Sequence, residues 1–151
     1  MSALVAYFSA EGNTKKIAEE FAKDIGADIY EIVPEIPYSM ADINWKNPLS
    51  RCNKEWITKK EVPVSGIVEG FNDYDTVYLG FPVWYNCQPL VIDSFCKKHD
   101  FRGKKVHVFA TAGGSTIGSS EKKIKSLVKG AISVDSILVR SVSDLKNRYS
   151  I

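Results

Sequence analysis

A chain of 151 residues that is 44% hydrophobic and 25% charged can bury a core without disulfide or metal staples, and its balance is neither that of a disordered chain nor that of a membrane protein. Its formal charge of +2 is spread along the whole length, too small and too diffuse for a nucleic-acid footprint. Cys52, Cys87 and Cys96 are an odd set at unrelated spacings, which fits neither a disulfide framework nor a zinc site and predicts free thiols.

One domain over 1–151 is expected from this length. The start Met1, Ser2, Ala3, Leu4 carries no basic n-region and no cleavage-like site, so a cytoplasmic location is expected. Ala3 to Phe8 is a nearly continuous apolar run, the pattern of a strand covered on both faces in a parallel sheet. From Thr14 to Asp24 the stripe of Ile17, Ala18, Phe21, Ala22 and Ile25 predicts a helix, ended by Gly26. Asp28 to Val33 alternates and stops at Pro34, which predicts a second strand near a sheet edge. The stretch from Pro34 to Asn72, with four prolines and with Trp45 and Trp56, is the least regular, and a loop of that length has a job or a short helix inside it.

Asp75 to Gly80 predicts a third strand, Leu90 to Lys98 a helix and Lys105 to Ala110 a fourth strand. Ser120 to Lys129 is an amphipathic helix, Ala131 to Val139 a fifth strand and Ser143 to Tyr149 a last helix. The alternation implies an α/β fold with a parallel sheet, and ligands then sit at the carboxyl ends of the strands.

Three loops at those ends carry unusual residues. The first, Ser9, Ala10, Glu11, Gly12, Asn13 and Thr14, joins a buried strand to a helix start. Backbone N–H groups there, aided by the helix dipole, hold a phosphate dianion without a cationic side chain. Gly12 permits the tight turn, and Ser9 and Thr14 offer hydroxyls; Asn13 or Thr14 as an ordinary helix cap is the competing reading. The second loop places Pro82, Val83, Trp84, Tyr85 and Asn86 where loops are normally polar, and adjacent aromatic rings there suit stacking on a flat ligand. Asn86 tolerates a left-handed or switching backbone, or is a plain turn residue. The third, Ala112, Gly113, Gly114 and Ser115 following Thr111, lets the backbone approach a ligand edge, or is simply a flexible loop. A phosphate site and a planar-ring site at one end of a sheet describe flavin mononucleotide.

The run from Tyr7 to Thr14 resembles the phosphate loop of flavodoxins, Gly80 to Tyr85 resembles the flavin-ring loop of flavodoxin-like proteins, and Thr111 to Ser115 looks like their third loop. Asn44 to Arg51 is similar to the insert after strand two in a bacterial short-chain flavodoxin-like subgroup. The resemblance implies a doubly wound five-stranded parallel sheet of order 2-1-3-4-5 with helices on both faces, and non-covalent FMN. It further implies that the phosphate is held by Ser9 through Thr14, and that Pro82 through Asn86 and Ala112 through Ser115 border the isoalloxazine. The implied function is a low-potential electron carrier whose partners are redox proteins or a small-molecule acceptor. The alternative is an NAD(P)H-dependent reductase of quinones or similar acceptors, with the nicotinamide stacked on an exposed flavin face. Typical flavodoxins are strongly acidic, and the charge of +2 sets this chain apart from them. Neither ring loop contains an acidic residue.

Other chemistries lack their residues. Cys96 and Arg102 have phosphatase spacing, but Cys96 falls on a Lys-rich helix instead of in an amide-lined cradle. A response regulator needs acidic residues at the ends of strands one and three, where Phe8, Ser9, Gly80 and Phe81 stand. A nucleotide hydrolase needs a different glycine spacing from that of Gly12, Asn13, Thr14 and Lys15. His99 and His107 are expected to pack or face solvent without binding a metal.

Overall fold

A computed structural model describes residues 2–9, 12–35, 62–83, 88–111 and 120–149. Five parallel strands, β1 (Ala3–Tyr7), β2 (Asp28–Glu31), β3 (Thr76–Pro82), β4 (Lys105–Thr111) and β5 (Ser133–Val139), form one sheet of order β2-β1-β3-β4-β5. Helices α1 (Asn13–Ile25), α2 (Leu90–Lys98), α3 (Ser120–Leu127) and α4 (Val142–Arg148) connect or follow them. The architecture and strand order are those expected, and β2 lies on an edge as its alternation and Pro34 predict.

Strand period sorts the core onto two faces. Leu4, Ala6, Val77, Leu79, Phe81, Val106, Val108 and Ala110 pack beneath Val91, Ile92 and Phe95 of α2 and Ile124 of α3. On the opposite face Val5, Tyr7 and Phe109 meet Ile17, Ala18, Phe21 and Ala22 of α1 and Leu145 of α4. The central strands are therefore apolar on both sides, which is why their sequences run without alternation.

Element ends differ from the expectations by two residues at most. β2 ends at Glu31 instead of Val33, because the chain leaves the ladder there to bond with a returning segment. Pro34 and Val64 form an isolated antiparallel bridge, supported by Ser65 N–H to Val33 O at 2.6 Å and Glu35 N–H to Pro63 O at 3.0 Å. The irregular stretch thus has structure in its second half: Val62, Val64, Val68 and Phe71 are buried against α2, and a short 3-10 turn covers Phe71–Asp73. Trp45 and Trp56 lie outside the described residues. α3 stops at Leu127 and β5 starts at Ser133, since the turn through Gly130 takes φ 87° and Ala131 N–H bonds Val128 O.

His99 and His107 serve packing. His99 Nδ1–H donates to Phe95 O at 2.8 Å while its Nε2 accepts from Val68 N–H at 3.0 Å, so the ring is held as the neutral Nδ1–H form between the Phe71 and Phe95 rings. Burial lowers its pKa below the ordinary value, and Lys98 adds to this, against the opposing bond to Phe95. His107 donates to Asp135 at 2.9 Å, and Asp135 also accepts from the Tyr149 hydroxyl at 2.9 Å. Among the described residues no group of three His, Cys, Asp or Glu is placed to hold a metal ion, and no helix is long and apolar enough to cross a membrane.

Candidate cofactor site

Register decides which loops meet. Tyr7 pairs with Gly80 and Gly80 with Phe109, and the ladder between β3 and β4 continues to Pro82 and Thr111. The carboxyl ends of β1, β3 and β4 are therefore side by side, and all three loops leave from one edge of the sheet. Backbone bonds tie these exits together: Phe8 N–H to Gly80 O at 2.9 Å, and Val83 N–H to Thr111 O at 2.8 Å.

The described residues of the first loop carry features that suit an anion. Gly12 stands at the N-cap of α1 with φ 97°, no side chain caps the helix, and its first turn contains no acidic residue. Lys15 and Lys16 are exposed in that turn, where a cation opposes the positive end of the helix dipole. A bound dianion turns both features from costs into attractions. Among the described residues, a Cβ placed on Gly12 meets no atom within 4 Å, and the left-handed φ there favours glycine. The Ser9 hydroxyl oxygen accepts from the Gly12 amide at 3.0 Å. That bond uses an oxygen lone pair and leaves the Ser9 proton available to a ligand. These features fit a phosphate group.

Thr14 is placed differently from a freely pointing hydroxyl. It is 1% exposed, and its Oγ1 lies 2.8 Å from Oγ1 of Thr111 at the end of β4. Asn13 is exposed on the first turn. In the second loop Val83 is buried, its side chain belongs to the core and its N–H is bonded to Thr111 O. Pro82 is half-buried. Ala10, Glu11, Trp84, Tyr85, Asn86, Ala112, Gly113, Gly114 and Ser115 lie outside the described residues.

Three residues at this edge, Thr111, Gln88 and Asp93, are not singled out by the sequence as site residues. Thr111 opens the third loop in the sequence, whereas the structure makes it the last residue of β4, and only the register brings its hydroxyl to that of Thr14. Gln88 and Asp93 flank the start of α2, with Gln88 Nε2–H donating to Asp93 Oδ1 at 2.8 Å. Burial raises the Asp93 pKa above the ordinary carboxylate value, with the Gln88 bond and Lys97 pulling the other way. The signal for Asp93 was its place in the first turn after the ring loop, where the dipole favours a carboxylate. Cys96 is fully buried and desolvation pushes its thiol up, so it offers no thiolate.

A family model described as flavodoxin matches residues 2–148. A protein of Bacteroides eggerthii classed as a flavoprotein is 33% identical, with 99% of this chain and 98% of that chain covered and a TM-score of 0.88. A counterpart from Bacteroides uniformis, classed the same way, is also 33% identical over 99% of this chain and 98% of that one, with a TM-score of 0.87. A Lactobacillus acidophilus flavoprotein in complex with FMN shares the fold at 20% identity, covering 99% of each chain with a TM-score of 0.69. No curated protein matches the chain.

Proposed function

The chain belongs to the flavodoxin family, and on that premise we propose that it carries electrons at low potential through non-covalently bound FMN. The observation that carries the reading is the start of α1, which no side chain caps, with the Ser9 hydroxyl beside Gly12 and two lysines in the first turn. The Lactobacillus flavoprotein with the same fold, described in complex with FMN, supports the choice of ligand. FMN bound at this edge supplies an isoalloxazine that takes up and releases electrons. The protein's share is to hold and orient it. Ser9 and the amides from Gly12 onward bind the phosphate, and the loops that follow Pro82 and Thr111 border the ring.

The low potential is supported by Asp93, a half-buried carboxylate one turn into the helix that follows the ring loop. When ionised, a carboxylate there would oppose electron uptake by a flavin bordered by that loop, against the partly offsetting charges of Lys97 and Lys123. The partners in this reading are redox proteins or a small-molecule acceptor, and the protein works in the cytoplasm. An acidic docking surface on a protein partner suits the lysines at Lys15 and Lys16 beside the phosphate loop.

Two experiments test the reading. Ser9→Ala combined with Thr14→Ala removes two hydroxyls from the phosphate loop. At about 1.5–3 kcal/mol for each hydrogen bond to a charged group, FMN affinity falls at least a hundredfold. Unchanged affinity would remove the site assignment. The FMN-loaded protein given NAD(P)H and a quinone shows no sustained turnover; steady NAD(P)H oxidation would replace the carrier with a reductase.

A further inference from the structure

We propose that Thr111 is a positioning residue for the cofactor phosphate, acting through Thr14. This rests on the FMN reading above. The two hydroxyl oxygens are 2.8 Å apart, Thr111 is 8% exposed and Thr14 1%, so each is the other's buried partner at the point where the phosphate loop meets the end of β4. Two hydroxyls at this distance share one proton, and the acceptor of that bond keeps its own proton for a third group.

A phosphate dianion only accepts. When it binds beside α1, the lowest-energy arrangement has Thr111 donating to Thr14 and Thr14 donating outward, and each bond polarises the next. Thr111 therefore decides which way the Thr14 proton points without touching the ligand. Its backbone adds a second tie, since its carbonyl accepts from Val83 N–H at 2.8 Å at the head of the ring loop. One residue thus joins the phosphate loop, the ring loop and the loop that begins at Ala112. A valine in the same place keeps the branched shape and the backbone bond but gives up the hydroxyl.

The test compares FMN with riboflavin, which has the ring and lacks the phosphate, by flavin-fluorescence titration of the apoprotein. Thr111→Val is expected to weaken FMN about tenfold, the size of one hydrogen bond shared with a charged group, and to leave riboflavin unchanged. Thr111→Ser restores FMN binding. Thr14→Val weakens FMN as well, and Thr14→Val with Thr111→Val is no weaker than Thr14→Val alone, because the second hydroxyl acts only through the first. Should Thr111→Val fail to fold, Thr111→Ala against Thr111→Ser makes the same comparison. Equal losses for FMN and riboflavin would reduce Thr111 to a structural residue and overturn the proposal, as would an unchanged FMN affinity. If the unmodified protein itself does not prefer FMN over riboflavin, the phosphate site and this inference fall together.

Discussion

Replacing Gly80 by alanine adds one methyl group to β3, and the position of the Phe109 ring makes its cost calculable. Gly80 pairs with Phe109 in the ladder, and a Cβ built on it would stand 2.2 Å from Cζ, 2.4 Å from Cε2 and 2.9 Å from Cε1 of that ring. Carbon atoms rest at about 3.5–4.0 Å, so the ring must retreat by ~1.3 Å or the strands must part. Phe109 is fully buried with Val5, Ile17 and Phe21 around it, and a close-packed core has no room to absorb that shift. Overpacking of this kind costs about 1–3 kcal/mol, and three ring atoms in conflict put it at the upper end. Alanine in place of an interior strand glycine otherwise gains about 0.5–1 kcal/mol. The net is about 2 kcal/mol, or a fall in Tm of about 4–8 °C for a domain of this size. Urea and thermal unfolding read it directly. Phe109→Leu in the alanine background recovers part of the loss, a coupling that independent sites do not show. A Gly80→Ala protein as stable as its parent would mean that the ring does not occupy the space beside Gly80, and the packing of that face would have to be redrawn.

Two further predictions concern side chains away from the loops. His99 has its pKa lowered by burial, so the unfolded chain binds the proton more readily. Its contribution to stability is complete above the ordinary value near 6.5 and is lost as pH falls below it toward the folded value. Because the ring is half-buried, the slope stays well under the ~1.4 kcal/mol per pH unit of a fully coupled proton. Urea unfolding from pH 7.5 to 5 shows it as the difference between the parent and His99→Gln; identical slopes would mean the Val68 bond to His99 is not formed. Asp135→Ala leaves the His107 Nδ1–H and the Tyr149 hydroxyl without their shared acceptor and costs about 1–3 kcal/mol. A Tm within a degree of the parent would show that solvent replaces both bonds.

The sheet was legible because its strands betray their environment. Ala3 to Phe8 is apolar without alternation, and it proved to be covered on both faces. The Ile17, Ala18, Phe21, Ala22 stripe of α1 came through as the buried face for the same reason: helical period is local, and local patterns are visible in a chain. Contacts set by register are not. Thr14 and Thr111 are 97 residues apart, and His107 and Asp135 are 28 apart; neither pair leaves a spacing to find. A late hint did exist at Thr111, a hydroxyl closing the buried run from Val106 to Ala110 just before a glycine-rich loop. The segment from 62 to 71 carries no regular signal in the sequence because its valines and Phe71 follow no period. They are buried by a non-repetitive path over α2, latched by the Val68 bond to His99.

In the proposed function, the first loop recognises FMN by its phosphate. Titrating the apoprotein with FMN and, separately, with riboflavin under argon while following flavin fluorescence tests it most directly. Tight quenching by FMN with weak quenching by riboflavin is the predicted result. Equal binding of the two, or no binding of either, would contradict it.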